Sequence, residues 1–284
     1  MSTDKADGLA RNSALVSTRE LSKQYRPAGW FSRNSFAIDA LVDVNFEILR
    51  GSVTALIGES GSGKSTLARC LAMLEEPDQG EIYFDGQKIT GATARDMALL
   101  RPRVQMVFQD SAGALNPRFS AAEVIAEPLR IQKRETGEKL RERACELMKE
   151  VGLSPDWADR RPLEFSGGQR QRLGIARAIA LRPAFLILDE SLSGLDLSTQ
   201  AQILNLLLDL QAAHSLTYLV ISHDIGLVGE VADFIAVMYQ GKIVEHGSAE
   251  RVLNNPREVY TRQLLNSVRV VETAFRAAHA GAGR

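Results

Sequence analysis

The sequence predicts an α/β fold: a parallel sheet covered by helices, an N-terminal antiparallel β part and an inserted α-helical subdomain. Three observations predict it. Apolar runs at 53–57, 184–188 and 217–221 lack polar alternation, as strands buried on both faces do, and helix-like stretches separate them. Extended stretches and a hairpin pattern fill the N-terminal part. Residues from about 110 to 165 are rich in Ala, Glu, Arg and Leu, which indicates helices.

The other elements follow from local patterns. Asp85-Gly86 lies between two strand-like runs and predicts a hairpin over 81–89. Apolar residues recur at i, i+3, i+4 and i+7 within 198–213, so one face of that helix should be buried. We therefore expect extended stretches at 14–25 and 38–48, a loop at 26–37, helices at 64–74, 120–130, 136–152, 169–181 and 198–213, and a closing hairpin at 234–247.

Composition restricts the class of protein. The chain has 284 residues and a formal net charge of −1, which gives no reason to expect nucleic acid as a partner. No run approaches the roughly 18 apolar residues of a membrane span, and the N-terminus lacks the apolar stretch of a secretory signal. Cys70 and Cys145 match no metal or disulfide spacing. We therefore expect a cytosolic chain that reaches a membrane only through a partner.

The glycine-rich segment GESGSGKS, residues 58–65, has the form G-x-x-x-x-G-K-[ST] between a predicted strand and a predicted helix. Glycines let backbone N–H groups surround an anion, and the helix N-terminus adds positive potential. Lys64 would contact the β- and γ-phosphates, and the Ser65 hydroxyl would face Mg²⁺. The alternative, a glycine-rich turn with an exposed lysine, does not explain the strand–turn–helix context. The segment predicts a phosphate-binding loop.

Two carboxylates end the apolar strand FLILDE at 185–190. Ligands of open α/β sheets bind outside the carboxyl ends of the strands. Asp189 could hold Mg²⁺ through water, and Glu190 could accept a proton from an attacking water. By itself the pattern equally fits a strand that runs into an acidic turn, but beside a phosphate loop the catalytic interpretation is favoured.

A second loop able to bind an anion is FSGGQRQR, residues 165–172, in which two glycines and a serine precede a helix. Alternatively, Ser166 simply caps that helix. One ATP needs one phosphate loop, so a second loop is useful if it faces the γ-phosphate of ATP held by another subunit.

Six segments occur in the order and rough spacing that one family of ATPases shows. On these segments the chain resembles the ATP-binding subunits of ABC transporters over about residues 15–265. The resemblance implies a P-loop NTPase core with the helical subdomain at about 110–165. It leaves residues 1–14 as an expected disordered tail and 266–284 as a C-terminal tail. The segments are 58–65, Gln109, 165–169, 189–190, 193–196 and His223.

The resemblance implies a role for each matching residue. Tyr25 would stack on adenine, unless it is only a half-buried strand residue. Gln109 would contact Mg²⁺ and the attacking water, His223 would contact the γ-phosphate, and 193–196 would cross a dimer interface unless Asp196 only caps a helix. The residues expected to bind ATP are Tyr25, Gly58, Glu59, Ser60, Gly61, Ser62, Gly63, Lys64, Ser65 and Thr66, with Ser166, Gly168 and Gln169 of a second subunit. Those expected in catalysis are Glu190, His223, Gln109 and Lys64, and those expected to bind Mg²⁺ are Ser65, Gln109 and Asp189.

Two further stretches narrow the resemblance to one branch. FQDSAGALNPRFS (108–120) and NNPREVYTRQLL (254–265) are similar to stretches of peptide and nickel importers. Ser111 replaces a proline of that pattern, and Glu258 and Val259 replace a His-Pro pair. The resemblance therefore implies import of di- or oligopeptides, with nickel or another small solute as the alternative.

The implied assembly lies on the cytoplasmic face of the cell membrane. A second ABC ATPase, identical or paralogous, would sandwich two ATP molecules with this chain and drive two transmembrane permease subunits, served indirectly by an extracytoplasmic solute-binding protein. An exporter is a further alternative. So is a soluble ABC ATPase that acts on DNA or ribosomes, but such proteins carry long insertions or a second cassette. Here only about 56 residues separate Gln109 from Phe165.

Overall fold

The computed structural model describes residues 13–26, 37–108, 111–134 and 136–267. Within them the strands are β1 (Ala14–Tyr25), β2 (Ile38–Leu49), β3 (Val53–Ile57), β4 (Gln79–Phe84), β5 (Gln87–Lys88), β6 (Val104–Val107), β7 (Phe185–Asp189), β8 (Thr217–Ile221), β9 (Phe234–Tyr239) and β10 (Lys242–Ser248). The helices are α1 (Lys64–Leu71), α2 (Ala94–Leu100), α3 (Ser111–Ala114), α4 (Ala121–Ile131), α5 (Glu138–Glu150), α6 (Gly167–Ile179), α7 (Leu197–His214), α8 (Ile225–Gly229), α9 (Ala249–Asn254) and a C-terminal helix at 259–267.

A six-stranded sheet in the order β10-β9-β3-β8-β7-β6 forms the centre of the molecule. The pairs from β9 to β6 are parallel, and β10 is antiparallel to β9. Every residue of β3, β7 and β8 is buried, as the continuous apolar runs predict. Asp189 is in register with Ile221, so the carboxyl ends of β7 and β8 lie side by side. The loops that follow the parallel strands therefore meet at one edge.

The N-terminal part is a four-stranded antiparallel sheet in the order β2-β1-β4-β5, which confirms the predicted antiparallel β part. Asp85 and Gly86 have φ of 54° and 75° and form the predicted hairpin turn between β4 and β5. This sheet covers one face of the central sheet and α1. The shared core includes Leu21, Leu41, Phe46, Leu56, Leu67, Leu71 and Leu219.

The helical subdomain is inserted between β6 and β7, as predicted. Its α4 begins with a capping box, in which the Ser120 side chain accepts from the Glu123 N–H and the Glu123 side chain accepts from the Ser120 N–H. Pro128 lies inside α4 without breaking it, and the helix continues to Ile131. Burial of Ile125 and Leu129 on either side of Pro128 holds the last turns in place.

Some expected segments fall outside the described residues. Ser13 and Ala14 are described, and the rest of the expected N-terminal tail lies outside the described residues. Most of the 26–37 loop and Gln109 also lie outside them. Residues 266 and 267 continue the C-terminal helix, and the remainder of the expected C-terminal tail is not described. Among the residues that are described, no helix has both the length and the apolar character to cross a membrane.

Candidate active site

The glycine-rich segment 58–65 connects β3 to α1 and is held between both sheets. Gly58 and Gly63 have φ of 152° and 109°, values that residues with a side chain rarely adopt. A Cβ on Gly58 would lie 2.2 Å from the Met238 carbonyl oxygen, and one on Gly63 would lie 2.3 Å from the Ala40 carbonyl oxygen. The loop therefore needs glycine at these two positions because neighbouring backbone occupies the space of a side chain.

Lys64 opens α1 with its ammonium group folded back into the loop. Its Nζ donates to the carbonyl oxygens of Gly58 and Glu59, each at 2.8 Å. Burial lowers the pKa of Lys64, and the negative charges of Glu190, Asp189 and Glu59 oppose that shift. The charge lies inside the loop and faces the carboxylates at the end of β7.

Ser65 and Asp189 bring the start of α1 against the end of β7. Ser65 Oγ donates to Asp189 Oδ1 at 3.0 Å. Burial raises the pKa of Asp189, and Glu190 adds to the effect, whereas the Ser65 hydroxyl opposes it. A hydroxyl and a carboxylate in contact are hard oxygen donors suited to Mg²⁺. No group of three or more His, Cys, Asp or Glu side chains able to hold a metal occurs among the described residues. Mg²⁺ fits this pair because it commonly takes only one or two protein ligands and completes its shell with phosphate oxygens and water.

Glu190 occupies an unusual backbone position directly after β7. Its φ is 45°, in the left-handed region that non-glycine residues seldom occupy. Its N–H donates to the Ile221 carbonyl at 3.0 Å, and its carbonyl accepts from both the N–H and the Oγ of Ser193. Strain of this kind clusters at functional sites, where surrounding contacts hold it. The exposed His223 follows β8, the strand beside β7, so two of the four predicted catalytic residues, Glu190 and His223, come from the same sheet edge.

Tyr25 ends β1 beside α1. Its hydroxyl donates to Glu75 Oε2 at 2.7 Å and lies 3.5 Å from Thr66 Oγ1. Burial raises the pKa of Tyr25, and the bond to Glu75 adds to that shift. The half-buried ring thus lies next to Thr66, one of the residues expected to bind ATP, which is compatible with adenine stacking. Sequence reasoning missed Glu75, since nothing local to it marks a partner 50 residues away.

The second glycine-containing loop begins α6, and the capping interpretation of Ser166 is confirmed. Ser166 Oγ accepts from the Gln169 N–H at 3.3 Å, and the Gln169 side chain accepts from the Ser166 N–H at 2.9 Å. Phe165 is buried, with its ring 6.1 Å from the Trp157 ring. A cavity of about 320 Å³ opens here, lined by Gly152, Leu153, Trp157, Ser166, Gly168, Gln169, Arg172, Thr199 and Gln202. Its lining contains no residue of 58–66, so within one chain this cavity does not join the two predicted phosphate sites.

The segment 193–196 leads into α7, and Asp196 caps that helix. Its carboxylate accepts from the Thr199 N–H at 2.9 Å and from Thr199 Oγ1 at 2.7 Å. Those hydrogen bonds lower the pKa of Asp196. The helix-cap alternative is therefore confirmed, and it leaves the interface role of this segment as a prediction.

Replacement of Gly168 by alanine is expected to lower the free energy of unfolding by about 1–3 kcal/mol through overpacking. The new Cβ would lie 2.5 Å from Thr199 Cγ2. Thr199 cannot easily move away, because it is β-branched and its hydroxyl is bound to Asp196. The double variant Gly168→Ala/Thr199→Ser keeps that hydroxyl, removes the methyl and should regain most of the loss in urea unfolding. Wild-type stability of Gly168→Ala alone would contradict this contact.

Comparison with known proteins supports the same family. The family model described as ABC transporter matches residues 41–193. A dipeptide transport ATP-binding protein of Escherichia coli is 43% identical over 253 residues, which are 89% of this chain and 76% of that protein. A di/tripeptide transport ATP-binding protein of Pseudomonas aeruginosa is 43% identical over 253 residues, 89% of this chain and 78% of that protein.

Solved structures of similar fold support the same family. A dimeric ATP-binding cassette in a post-hydrolysis state with ADP and Pi superposes with a TM-score of 0.74 at 31% identity, over 82% of this chain and 98% of that one. A component of an ABC transporter complex from Clostridium perfringens has a TM-score of 0.74 at 26% identity, over 95% of this chain and 98% of that one. The expected P-loop NTPase fold is confirmed. The chain belongs to the ABC transporter family and is one of its ATP-binding, ATP-hydrolysing subunits.

Proposed function

We propose that the chain drives the import of di- or oligopeptides by binding and hydrolysing ATP at the loop 58–65 and the end of β7. The observation that carries the catalytic part is the 3.0 Å contact between Ser65 and Asp189, which joins the phosphate loop to the acidic edge of the sheet. The peptide assignment is supported by relatives that are named for dipeptide and di/tripeptide transport. The tail motif at 254–265 agrees with it.

In the proposed mechanism each side chain acts where its strand or helix places it. Lys64 binds the β- and γ-phosphates, and Ser65 and Asp189 hold Mg²⁺. When bound, Mg²⁺ neutralises charge on the phosphate oxygens. Glu190 accepts the proton of the attacking water, and His223 contacts the γ-phosphate. Gln109, proposed to contact Mg²⁺ and that water, lies outside the described residues.

The proposed active unit contains two ATPase chains. Ser166, Gly168 and Gln169, or their equivalents in a paralogue, would face the γ-phosphate held by the opposite chain. The dimeric cassette among the similar structures supports this arrangement. The further partners in this proposal are two permease subunits and, through them, an extracytoplasmic solute-binding protein. The chain would then lie at the cytoplasmic face of the cell membrane.

Membrane association is expected to depend on the permeases. No described helix can span a bilayer, and the proposed docking zone is 109–118, next to the 42% exposed Phe108. The chain should therefore pellet with membranes from a strain that contains the permeases and stay in the supernatant without them. Membrane association that persists in a permease deletion strain would contradict the proposal.

The strain that contains the permeases can also show which solute is imported. Deletion of the gene should abolish uptake of a labelled dipeptide, and the wild-type gene should restore it, while Lys64→Ala should not. Nickel uptake serves as the parallel measurement. Loss of nickel uptake with normal dipeptide uptake would favour nickel as the solute. Loss of neither would reject both solutes and leave another solute, an exporter or a soluble ABC ATPase as the alternatives.

A further inference from the structure

The C-terminal segment is anchored to the catalytic core through one buried carboxylate. Glu245 on β10 is 6% exposed and accepts from Arg251 Nη1 at 2.9 Å. It also accepts from the backbone N–H groups of Arg257 at 3.0 Å and Glu258 at 3.2 Å. Burial alone would raise the pKa of Glu245, but these hydrogen bonds outweigh it and hold the pKa below its usual range. The carboxylate thus fixes the chain just before the C-terminal helix.

The C-terminal helix at 259–267 packs against the core. Thr261 is completely buried and Leu265 is 6% exposed within the large apolar cluster. On the side that faces β9, the Tyr260 ring packs on Tyr239, with 4.2 Å between centroids and a 34° angle between planes. Tyr239 is the last residue of β9, the strand whose following turn also contacts the phosphate loop. There the Gly241 N–H donates to the Ser62 carbonyl at 2.9 Å.

Tyr260 reaches the phosphate loop directly. Its hydroxyl oxygen accepts a hydrogen bond from the backbone N–H of Glu59 at 3.2 Å. That N–H belongs to the peptide group between Gly58 and Glu59. The carbonyl of the same peptide group, on Gly58, accepts from Lys64 Nζ at 2.8 Å. One planar peptide therefore links the tyrosine of the C-terminal helix to the loop lysine.

We propose that Tyr260 is a positioning residue for the phosphate loop: it orients the Gly58–Glu59 peptide and so directs the carbonyl that holds Lys64. A peptide group is rigid and planar, so a partner that fixes its N–H also fixes the direction of its C=O. Hydrogen bonds at both ends of the group polarise it and strengthen one another. The proposal rests on the assignment of the loop 58–65 to ATP.

Loss of the hydroxyl should affect nucleotide binding more than chemistry. Without it the peptide can rotate, Lys64 loses a fixed acceptor and the loop is less ordered before ATP binds. Removal of one neutral hydrogen bond predicts a rise of about 3- to 10-fold in the dissociation constant for ATP. The rate constant kcat should stay within about 2-fold, since Glu190 and Asp189 keep their contacts with β8 and Ser65.

The test compares Tyr260→Phe with Tyr239→Phe in the full chain. Both variants remove one hydroxyl from the same ring pair, but Tyr239 OH accepts only from the neighbouring Gln240 side chain among the described hydrogen bonds. ATP affinity by titration calorimetry, KM and kcat are measured for each, with amide hydrogen exchange at Glu59 in the absence of nucleotide. Tyr260→Phe should raise the dissociation constant and KM and speed exchange at Glu59. Tyr239→Phe should behave as wild type.

Three outcomes would overturn the proposal. They are wild-type ATP affinity in Tyr260→Phe, unchanged exchange at Glu59, and an equal loss of affinity in Tyr239→Phe, which would indicate general loosening of the ring pair. Lys64→Ala measured in parallel separates the two proposals. Lost affinity in Lys64→Ala with normal affinity in Tyr260→Phe would reject the positioning role alone. Normal affinity in both would reject the loop as the ATP site.

Discussion

ATP hydrolysis by the Glu190→Gln variant is expected to fall by about 10²- to 10⁴-fold, the usual contribution of a positioned general base, while ATP binding persists. Lys64, Ser65 and Asp189, the residues proposed to hold the phosphates and Mg²⁺, remain in place. The left-handed backbone at residue 190 is held by Ile221 and Ser193 through main-chain groups, so the amide should occupy the position of the carboxylate. Phosphate release from the purified protein measures the change, and the exposed carboxylate of Glu230, changed to glutamine, is the matched control.

The same variant tests the proposed sandwich. In the proposed site the amide removes a negative charge that would face the γ-phosphate, so the ATP-bound dimer should become more stable. Light scattering should show a shift from monomer to dimer with ATP and no shift with ADP. The shift should occur with this chain alone if it pairs with itself, and only after mixing if it requires a paralogue. Unchanged hydrolysis would reject the catalytic role of Glu190. Slow hydrolysis without any ATP-dependent association would reject the sandwich.

Hydrolysis by Lys64→Ala is expected to be abolished and its ATP binding weakened. The substitution removes the only side-chain cation of the segment 58–65. It also removes the donor bound by the Gly58 and Glu59 carbonyls, and a buried acceptor without a donor destabilises the loop. ATPase turnover and equilibrium ATP binding are the measurements, with the exposed Lys149→Ala on α5 as control. Near-normal turnover in Lys64→Ala would show that the loop is not the catalytic phosphate site.

The elements around the site could be predicted because their signals are local. Buried strands appear as continuous apolar runs, and the phosphate loop needs glycines at fixed intervals between a strand and a helix. The ends of the elements follow less directly from the sequence. Helix α1 ends at Leu71 and not at 74, because Met73 adopts a left-handed backbone with φ of 57° where no glycine marks the stop. Strand β6 went unpredicted, since VQMV is only four residues long and half of them are partly exposed.

Contacts between distant segments could not be predicted from the sequence. Tyr260 binds Glu59 across 201 residues of chain, and Thr199 fills the space beside Gly168. Periodicity and motif spacing report what each segment does alone, whereas these contacts depend on how the segments pack. The tail motif at 254–265 thus indicated a branch of the family, whereas the contact of its Tyr260 with Glu59 could be seen only in the structure.

The position of the phosphate loop between two sheets has a consequence for folding. One wall is the Met238 carbonyl of the central sheet, and the other is the Ala40 carbonyl of the antiparallel sheet. Neither sheet alone supplies both walls of the loop, so we expect ATP to bind only the chain in which both sheets have docked. A ligand that binds one such state stabilises it by about 2.7 kcal/mol at a hundred times its dissociation constant. Cellular ATP is therefore expected to stabilise the folded subunit as well as to supply energy for transport. The chain without nucleotide should be the form that proteases cleave more readily.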